Sequence, residues 1–275
     1  MSFTSTTTPA RGGAQDEYEQ FCLAFRRVCG IDLLQYKRGQ MERRIRSFVS
    51  TRHGALGLLE YAESLKADKD ELNRFLDRVT INVSQLWRNP EQWETLEQQI
   101  LPDLAATARH ANRIRAWSAG CSYGAEAYTL AAIMRRAIPR AVVTILGTDI
   151  DARMVKRART GVFTVEDARD APTATLAGHF ELADGRWHAS EELKRLVRFE
   201  QGDLLTINPL AGAYDLVLCR NTVIYFNEDV RDALHGRLAT SLRSGGRLVV
   251  GATERVSEPA RHGLVPESPF VYRKL

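Results

Sequence analysis

Long apolar runs are missing from this chain of 275 residues. No uninterrupted stretch approaches the roughly 20 residues needed to cross a bilayer. Residues 1–15 (MSFTSTTTPARGGAQ) have no apolar core of the kind a secretory signal needs and read as a disordered tail. Cysteine is scarce. Cys22, Cys29, Cys121 and Cys219 are scattered without metal-ligand spacing, so neither a disulfide scaffold nor a bound metal is expected, and reduced thiols in a cytoplasmic chain are. Cys22 and Cys29 lie seven apart on one helical pattern and read as packing residues. Charge of one sign is nearly absent in excess. Lys and Arg number 38 against 34 Asp and Glu, and the resulting +4 is too weak to argue for nucleic acid. No internal repeat is visible. What is present, 44% hydrophobic and 26% charged residues, fits a folded globular protein and excludes a disordered or collagenous one. At roughly 150 residues per domain, the length allows one large domain or a small one beside a medium one.

Residues 16 to about 80 predict helix after helix. Asp16 can cap the first, in which Tyr18, Phe21, Cys22, Phe25 and Val28 follow helical spacing before Gly30 ends it. A second helix is expected over about 36–53, with Met41, Ile45, Phe48 and Val49 inward and Arg43, Arg46 and Ser50 opposite. Lys37, Arg38 and Arg44 add positive charge on its flanks. The third (about 56–66) carries Leu58, Leu59, Tyr61, Ala62 and Leu65; the fourth (about 70–80) carries Leu72, Phe75, Leu76 and Val79. After a further helix over about 90–108 the pattern changes to α/β. Strands are expected at Arg113–Ser118, Val142–Thr148, Val197–Gln201, Tyr214–Cys219 and Arg247–Gly251, with Gly245-Gly246 turning into the last, and Phe270–Arg273 as a strand at the sheet end. Helices are expected at about 124–137, 151–159 and 228–242. That alternation predicts an open, mostly parallel sheet with helices on both faces. Residues 162–196 break it. Ala183-Asp184-Gly185 between two short apolar runs signals a hairpin, and hence a small antiparallel β insert.

Ligands in such sheets bind beyond the carboxyl ends of the strands. The first strand is followed by Gly120-Cys121-Ser122-Tyr123-Gly124-Ala125-Glu126, where glycine lets backbone amides approach a ligand at a helix N-terminus. The second ends in Thr148-Asp149-Ile150-Asp151, and a carboxylate there can accept both hydroxyls of a ribose. Gly202-Asp203-Leu204-Leu205 follows the third and Arg220-Asn221 the fourth. These ends converge on one nucleoside-sized site. Plainer readings exist for each: tight turns at Gly120 and Gly124, a helix cap at Asp149, a solvated loop at Arg220-Asn221. A competing motif also exists. Gly120–Gly124 matches the nucleophile elbow G-x-S-x-G, which would make Ser122 a hydrolase nucleophile. It requires a later acid and a histidine at strand ends. His235 and His262 follow no obvious strand, and an elbow does not normally follow the first strand of a sheet.

Several phrases, in order, resemble the chemotaxis-receptor protein-glutamate methyltransferases, the CheR family. They are Thr80–Arg88 (TINVSQLWR), Trp117–Tyr128 (WSAGCSYGAEAY), Thr148–Asp151 (TDID) with Ala158–Gly161 (ARTG), Leu218–Phe226 (LCRNTVIYF) and Ser244–Glu254 (SGGRLVVGATE). The phrase CRN-x-x-IYF is the most specific. The resemblance covers the chain after the tail. It implies a helical domain and linker over 16–90 and, over 91–275, a class I methyltransferase Rossmann-like sheet carrying the insert. It implies S-adenosylmethionine as methyl donor, leaving S-adenosylhomocysteine, and glutamates on the helical cytoplasmic part of chemoreceptors as substrate.

Carried over position by position, Asn82, Ser84 and Arg88 line the donor site from the linker. Gly120 binds the donor through its turn, Glu126 binds it near its amino-acid end or the adjacent linker, Asp149 takes the ribose, Asp203 and Leu204 flank the adenine, and Arg220 and Asn221 close the site. Arg88 and Tyr225 are the expected catalytic residues, Arg88 to hold the incoming carboxylate unless Glu91 claims it. Arg43 and Arg46 would steer the receptor. The chain departs from the family at Ser84 (usually Thr), at Leu86-Trp87 (Phe-Phe), at Tyr123–Tyr128 (Thr-Gly-Glu-Glu-Pro-Tyr) and at Asp203 (Asn). The last can accept from an adenine amino group but cannot donate to a ring nitrogen. The short insert lacks the longer loop with which some members hold a receptor tail peptide, so no such tethering is expected; nor are nucleic-acid binding or membrane insertion, and the chain is expected to be a monomer. A non-catalytic donor-binding scaffold of the same fold, or a methyltransferase for another substrate such as a small molecule or RNA, are the alternatives.

Overall fold

A computed structural model describes residues 16–80, 83–108 and 112–275. The expected tail and Asn82 lie outside the described residues. The described chain forms two compact units that meet in sequence between Val79 and Thr80.

The first unit is four helices: α1 (Glu17–Cys29), α2 (Arg38–His53), α3 (Leu58–Ala67) and α4 (Lys69–Val79). Asp16 caps α1 by accepting from the Tyr18 amide, and Gly30, at φ 82°, ends it with its amide on the Arg26 carbonyl. An aromatic cluster fills the centre. Phe75 meets Phe25 edge-on at 5.1 Å and Tyr61 at 5.4 Å. Two expectations shift. The second helix starts at Arg38, because Asp32 caps a separate 3-10 turn (Leu33–Gln35) and Tyr36 is extended. Leu59 is exposed, since Leu58, Tyr61, Ala62 and Leu65 take the inward face of α3.

The second unit opens with α5 (Pro90–Thr95) and α6 (Leu101–Ala106), joined by a π turn (Leu96–Ile100). Pro102 lacks the amide that would continue the α ladder at that junction. There follow β1 (Arg113–Ala119), α7 (Ala125–Ala137), β2 (Val142–Asp149), α8 (Ala152–Thr160), β3 (Val162–Thr164), α9 (Thr173–His179), β4 (Phe180–Ala183), β5 (Arg186–Ala189) and α10 (Glu191–Leu196). The chain ends with β6 (Val197–Gln201), β7 (Tyr214–Cys219), α11 (Glu228–Ser241), β8 (Leu242–Val250), β9 (Leu264–Ser268) and β10 (Val271–Lys274). Seven strands form one sheet in the order β6-β2-β1-β7-β8-β10-β9. The first five of that order run parallel, and β10 is antiparallel to both neighbours. The chain therefore steps outward from β1 through β2 to β6, then returns to β7 on the other side of β1. The order reverses between β1 and β7, which places the ligand crevice at their carboxyl ends.

This is the expected Rossmann-like architecture, with two corrections. Gly245-Gly246 is no turn before a strand. It lies inside β8, where pairing jumps from Tyr214↔Leu242 to Leu216↔Arg247. Gly245 sits at φ 77° and a Cβ on Gly246 would lie 2.9 Å from the Arg243 carbonyl, so the pair permits a bulge that side chains would block. The strand β9 was not foreseen, because Pro266 argues against a strand; here it is the sheet's edge, where proline is tolerated. The insert is a three-stranded antiparallel sheet, β3-β5-β4. Its β4–β5 hairpin turns on Asp184 and Gly185, both with positive φ as a two-residue turn requires.

Candidate functional site

The turn after β1 is stitched to β2 by its backbone. The Gly120 and Cys121 amides both donate to the Thr148 carbonyl at 2.9 Å. Gly120 is at φ 80°, and a Cβ there would lie 2.6 Å from Thr222 Oγ1. Ser122, at φ 50°, turns its amide onto Asp149 Oδ2 at 2.7 Å, and Asp149 Oδ1 accepts from the Asp151 amide at 3.0 Å. Asp149 is thus no helix cap; Asp151 caps α8, accepting from the Arg153 amide. Burial pushes the Asp149 carboxyl above its usual range, against the hydrogen bonds it accepts. The Ile150 amide bonds it too, which leaves part of the carboxylate's roughly four acceptor sites open. The Ser122 hydroxyl is buried with no hydrogen-bond partner, so it lacks the base a hydrolytic serine needs. Burial also pushes the Cys121 and Cys219 thiols well up, away from the nucleophilic thiolate.

A second cluster lies behind that turn. Arg220, the residue after β7, is buried and spreads its guanidinium over three acceptors: Gln92 Oε1 at 2.8 Å, the Arg88 carbonyl at 2.6 Å and Glu126 Oε2 at 3.4 Å. Its Cζ lies 4.6 Å from the Trp93 ring centroid. Ser118 Oγ donates to Glu126 Oε1 at 2.7 Å. Burial raises the Glu126 carboxyl and lowers Arg220, despite their mutual attraction, and the nearby Glu254 carboxylate also raises Glu126. Asn221, at φ 58°, is held by its amide on Glu254 Oε2 at 2.8 Å, and the Gly251 amide takes the same oxygen at 2.6 Å. Arg220-Asn221 is therefore no solvated loop.

The other expected residues fall as follows. Gly202 donates to the Asp149 carbonyl at 2.9 Å, which brings the Asp203-Leu204 turn beside the acid; Asp203 Oδ1 accepts from the Leu205 amide and Leu204 is buried. At Ser84 it is the carbonyl, not the hydroxyl, that is engaged, by the Tyr123 hydroxyl. Arg88 joins the cluster through its backbone; its guanidinium donates to the Val83 carbonyl at 2.8 Å rather than pairing with Glu91. Tyr225 is half-buried on the 3-10 turn Val223–Tyr225 that follows Asn221. In the helical unit, Arg43 and Arg46 are exposed on α2, along a groove they line with Gly39, Glu42, Ser47 and Ser50. Arg46 is ion-paired to Glu17 at 3.1 Å and Glu42 at 2.9 Å. Arg38, read as added charge, pairs with Asp16 and Glu42.

Gln92, Trp93, Ser118, Thr222 and Glu254 were not foreseen. Gln92 sits in a polar helix and carries no signal. Glu254 follows the fifth parallel strand, and inspecting that strand's end as well would have found it.

Among the described residues no group of His, Cys, Asp and Glu is placed to hold a metal ion, and no helix is long and apolar enough to cross a membrane. Two family models match this chain: "CheR methyltransferase, all-alpha domain" over residues 16–80 and "CheR methyltransferase, SAM binding domain" over residues 82–269. A chemotaxis protein methyltransferase of Listeria innocua is 35% identical over 94% of this chain and 98% of its own length. Chemotaxis protein methyltransferase 1 of Pseudomonas aeruginosa is 29% identical over the same shares, 94% and 98%. Its namesake in Vibrio cholerae is 30% identical over 89% of this chain and 90% of its own.

Proposed function

This chain belongs to the CheR methyltransferase family, and from that membership we propose that it esterifies glutamate side chains on the helical cytoplasmic part of chemoreceptors. The observation that carries the reading is Asp149, a buried acid at the end of β2 with one oxygen on the glycine turn. The residues present fit S-adenosylmethionine. The Gly120 turn is closed to any side chain by Thr222, the Ser122 hydroxyl is buried without a partner, and Asp149, Glu126 and Asp203 give a cationic nucleoside a carboxylate surround.

Asp149 would hold the ribose hydroxyls with the acceptor capacity its three backbone bonds leave. Glu126, fixed by Ser118 and Arg220, would face the donor's ammonium. The Asp203-Leu204 turn would flank the adenine, with Leu204 as its apolar wall, and Asn221 would close the site. When bound, the donor supplies a methyl group already activated by a sulfonium. A substrate glutamate, with an ordinary pKa of about 4.3, is ionised at neutral pH and needs no base. The chain's task is therefore orientation and exclusion of water, worth up to roughly 7–11 kcal/mol. Arg88 would exchange its bond to the Val83 carbonyl for the incoming carboxylate, which a guanidinium matches. Tyr225 would stand by the transferred methyl. The α2 groove would meet the receptor helix, with Arg43 contributing more than Arg46, whose charge Glu17 and Glu42 already oppose. The insert's hairpin is closed by a two-residue turn, and this reading assigns it no receptor tail peptide.

Incubating the chain with labelled donor and a panel of receptor cytoplasmic fragments tests the reading. Base-labile label mapped to glutamate is expected. Arg88→Ala should lower turnover by about tenfold or more, and Arg43→Glu with Arg46→Glu should slow it at low salt. Donor binding without any ester on the panel would point to a scaffold or another substrate.

A further inference from the structure

The segment Ser84–Asn89 is strained and yet central. Trp87 sits at φ 56°, unfavourable above all for a bulky residue, and Asn89 at φ 60°, which asparagine tolerates better. Between them, Arg88 offers the carbonyl that receives Arg220. Such a conformation persists only where its surroundings fix it. Trp87 is fixed by its amide on Thr129 Oγ1 at 3.1 Å. Of the residues before it, Leu86 and Gln85 are fixed by the first turn of the insert, residues 164–170, and Ser84 is fixed through Tyr123. The Leu86 amide donates to the Asp167 carbonyl at 2.8 Å. Gln85, with its amide oriented to satisfy both neighbours, donates to Asp170 and accepts from Arg169. The Ser84 carbonyl is held by the Tyr123 hydroxyl, which also lies 2.9 Å from Asp167 Oδ1.

Asp167 is the node of this arrangement. Its Oδ2 accepts from Arg157 at 2.6 Å and from the Thr164 amide at 2.9 Å, and its own amide donates to Thr164 Oγ1 at 3.0 Å. Arg157 in turn lies 3.7 Å over the Tyr123 ring. One residue of the insert thus ties together the glycine turn, α8 and the strained segment.

We propose that Asp167 is a positioning residue for the donor pocket: through Tyr123 and Leu86 it sets the segment from which the Arg88 carbonyl anchors Arg220, and Arg220 anchors Glu126. The insert is then a clamp on the donor site. The inference rests on the donor-site reading above. Its test is calorimetric titration of S-adenosylhomocysteine into the full chain, with amide hydrogen exchange at Leu86. Asp167→Ala keeps the backbone carbonyl that takes the Leu86 amide but removes the side-chain bonds to Arg157, Thr164 and Tyr123 that hold its turn, so it should weaken binding by about tenfold or more and, by loosening the turn, speed exchange at Leu86; Asp167→Asn, which keeps an acceptor for Arg157, should recover most of the loss. Tyr123→Phe, which keeps the ring under Arg157, should weaken binding about threefold to tenfold and serves if Asp167→Ala does not fold. Binding within twofold of the unaltered chain in these variants, with only the thermal midpoint moved, would reduce Asp167 to a structural role. An unaltered chain that binds no S-adenosylhomocysteine would instead overturn the donor-site reading itself, and the clamp with it.

Discussion

Glu71 of the helical unit and Glu126 of the sheet unit are treated in opposite ways. Glu71 of the helical unit gathers partners to excess. Arg52 holds both its oxygens at 3.2 and 3.1 Å, Arg74 donates at 2.8 Å, His53 lies at 2.9 Å and the Tyr61 hydroxyl at 3.1 Å. Burial alone would raise its carboxyl, but these bonds hold it down to about 2. Glu126 of the sheet unit has Ser118 and a distant share of one arginine, which gives its shorter bonds to Gln92 and the Arg88 carbonyl. Burial wins there, and the carboxyl is raised. A saturated carboxylate fixes helices and has nothing left to offer. An under-paired one, at a crevice where strands end, retains attraction for a cation.

Removing Arg220 should break the comparison most severely. Arg220→Ala strands Glu126 and Gln92, and breaking a buried pair costs about 3–5 kcal/mol. Binding of S-adenosylhomocysteine should fall by about a hundredfold or more, with a clear loss in denaturant stability. Affinity equal to the unaltered chain would separate this cluster from the donor site. The opposite case is Glu71. Its carboxyl titrates near 4.5 unfolded and about 2 folded, so the stabilisation is complete above pH 4.5 and is lost as pH falls toward 2. At about 1.4 kcal/mol per unit the full span is worth up to about 3 kcal/mol. Glu71→Gln should flatten the stability profile of the chain in that window; an unchanged profile would mean the network carries little energy. His235 sharpens the contrast, as burial with no partner at all. Both ring nitrogens are buried and unbonded, and burial first, then Arg231 and His262, lower its pKa from 6.5 to about 4. The folded chain resists that proton while the unfolded chain accepts it, so stability is intact above pH 6.5 and declines toward pH 4. Between pH 6.5 and 5 the expected loss is about 2 kcal/mol, and His235→Leu should remove it in thermal unfolding scans at the two pH values.

Local signals are legible where one residue type has one job. Asp16 and Gly30 bound α1, and the parallel strands begin where their apolar runs begin, save β8, which starts at Leu242. The glycine turn and Asp149 are legible because each stands at the carboxyl end of a strand. What was not legible depended on partners distant in sequence. Arg88 was expected to present its guanidinium, but its carbonyl is what the cluster uses, because Arg220 arrives from the end of β7. Arg46 looked like an open cation until α1 brought Glu17 to it. Asp167 gave no sign, since its neighbours in sequence are ordinary turn residues.

Sequence by itself determined the periodicities, the caps, the glycine positions and the family, because these depend on backbone sterics and on motifs contiguous in the chain. Only the tertiary structure decided which polar groups share a hydrogen and which carboxyls keep a deficit of partners. Those depend on distances between elements far apart along the chain and on the water that packing removes, and both are set only when the sheet closes around them.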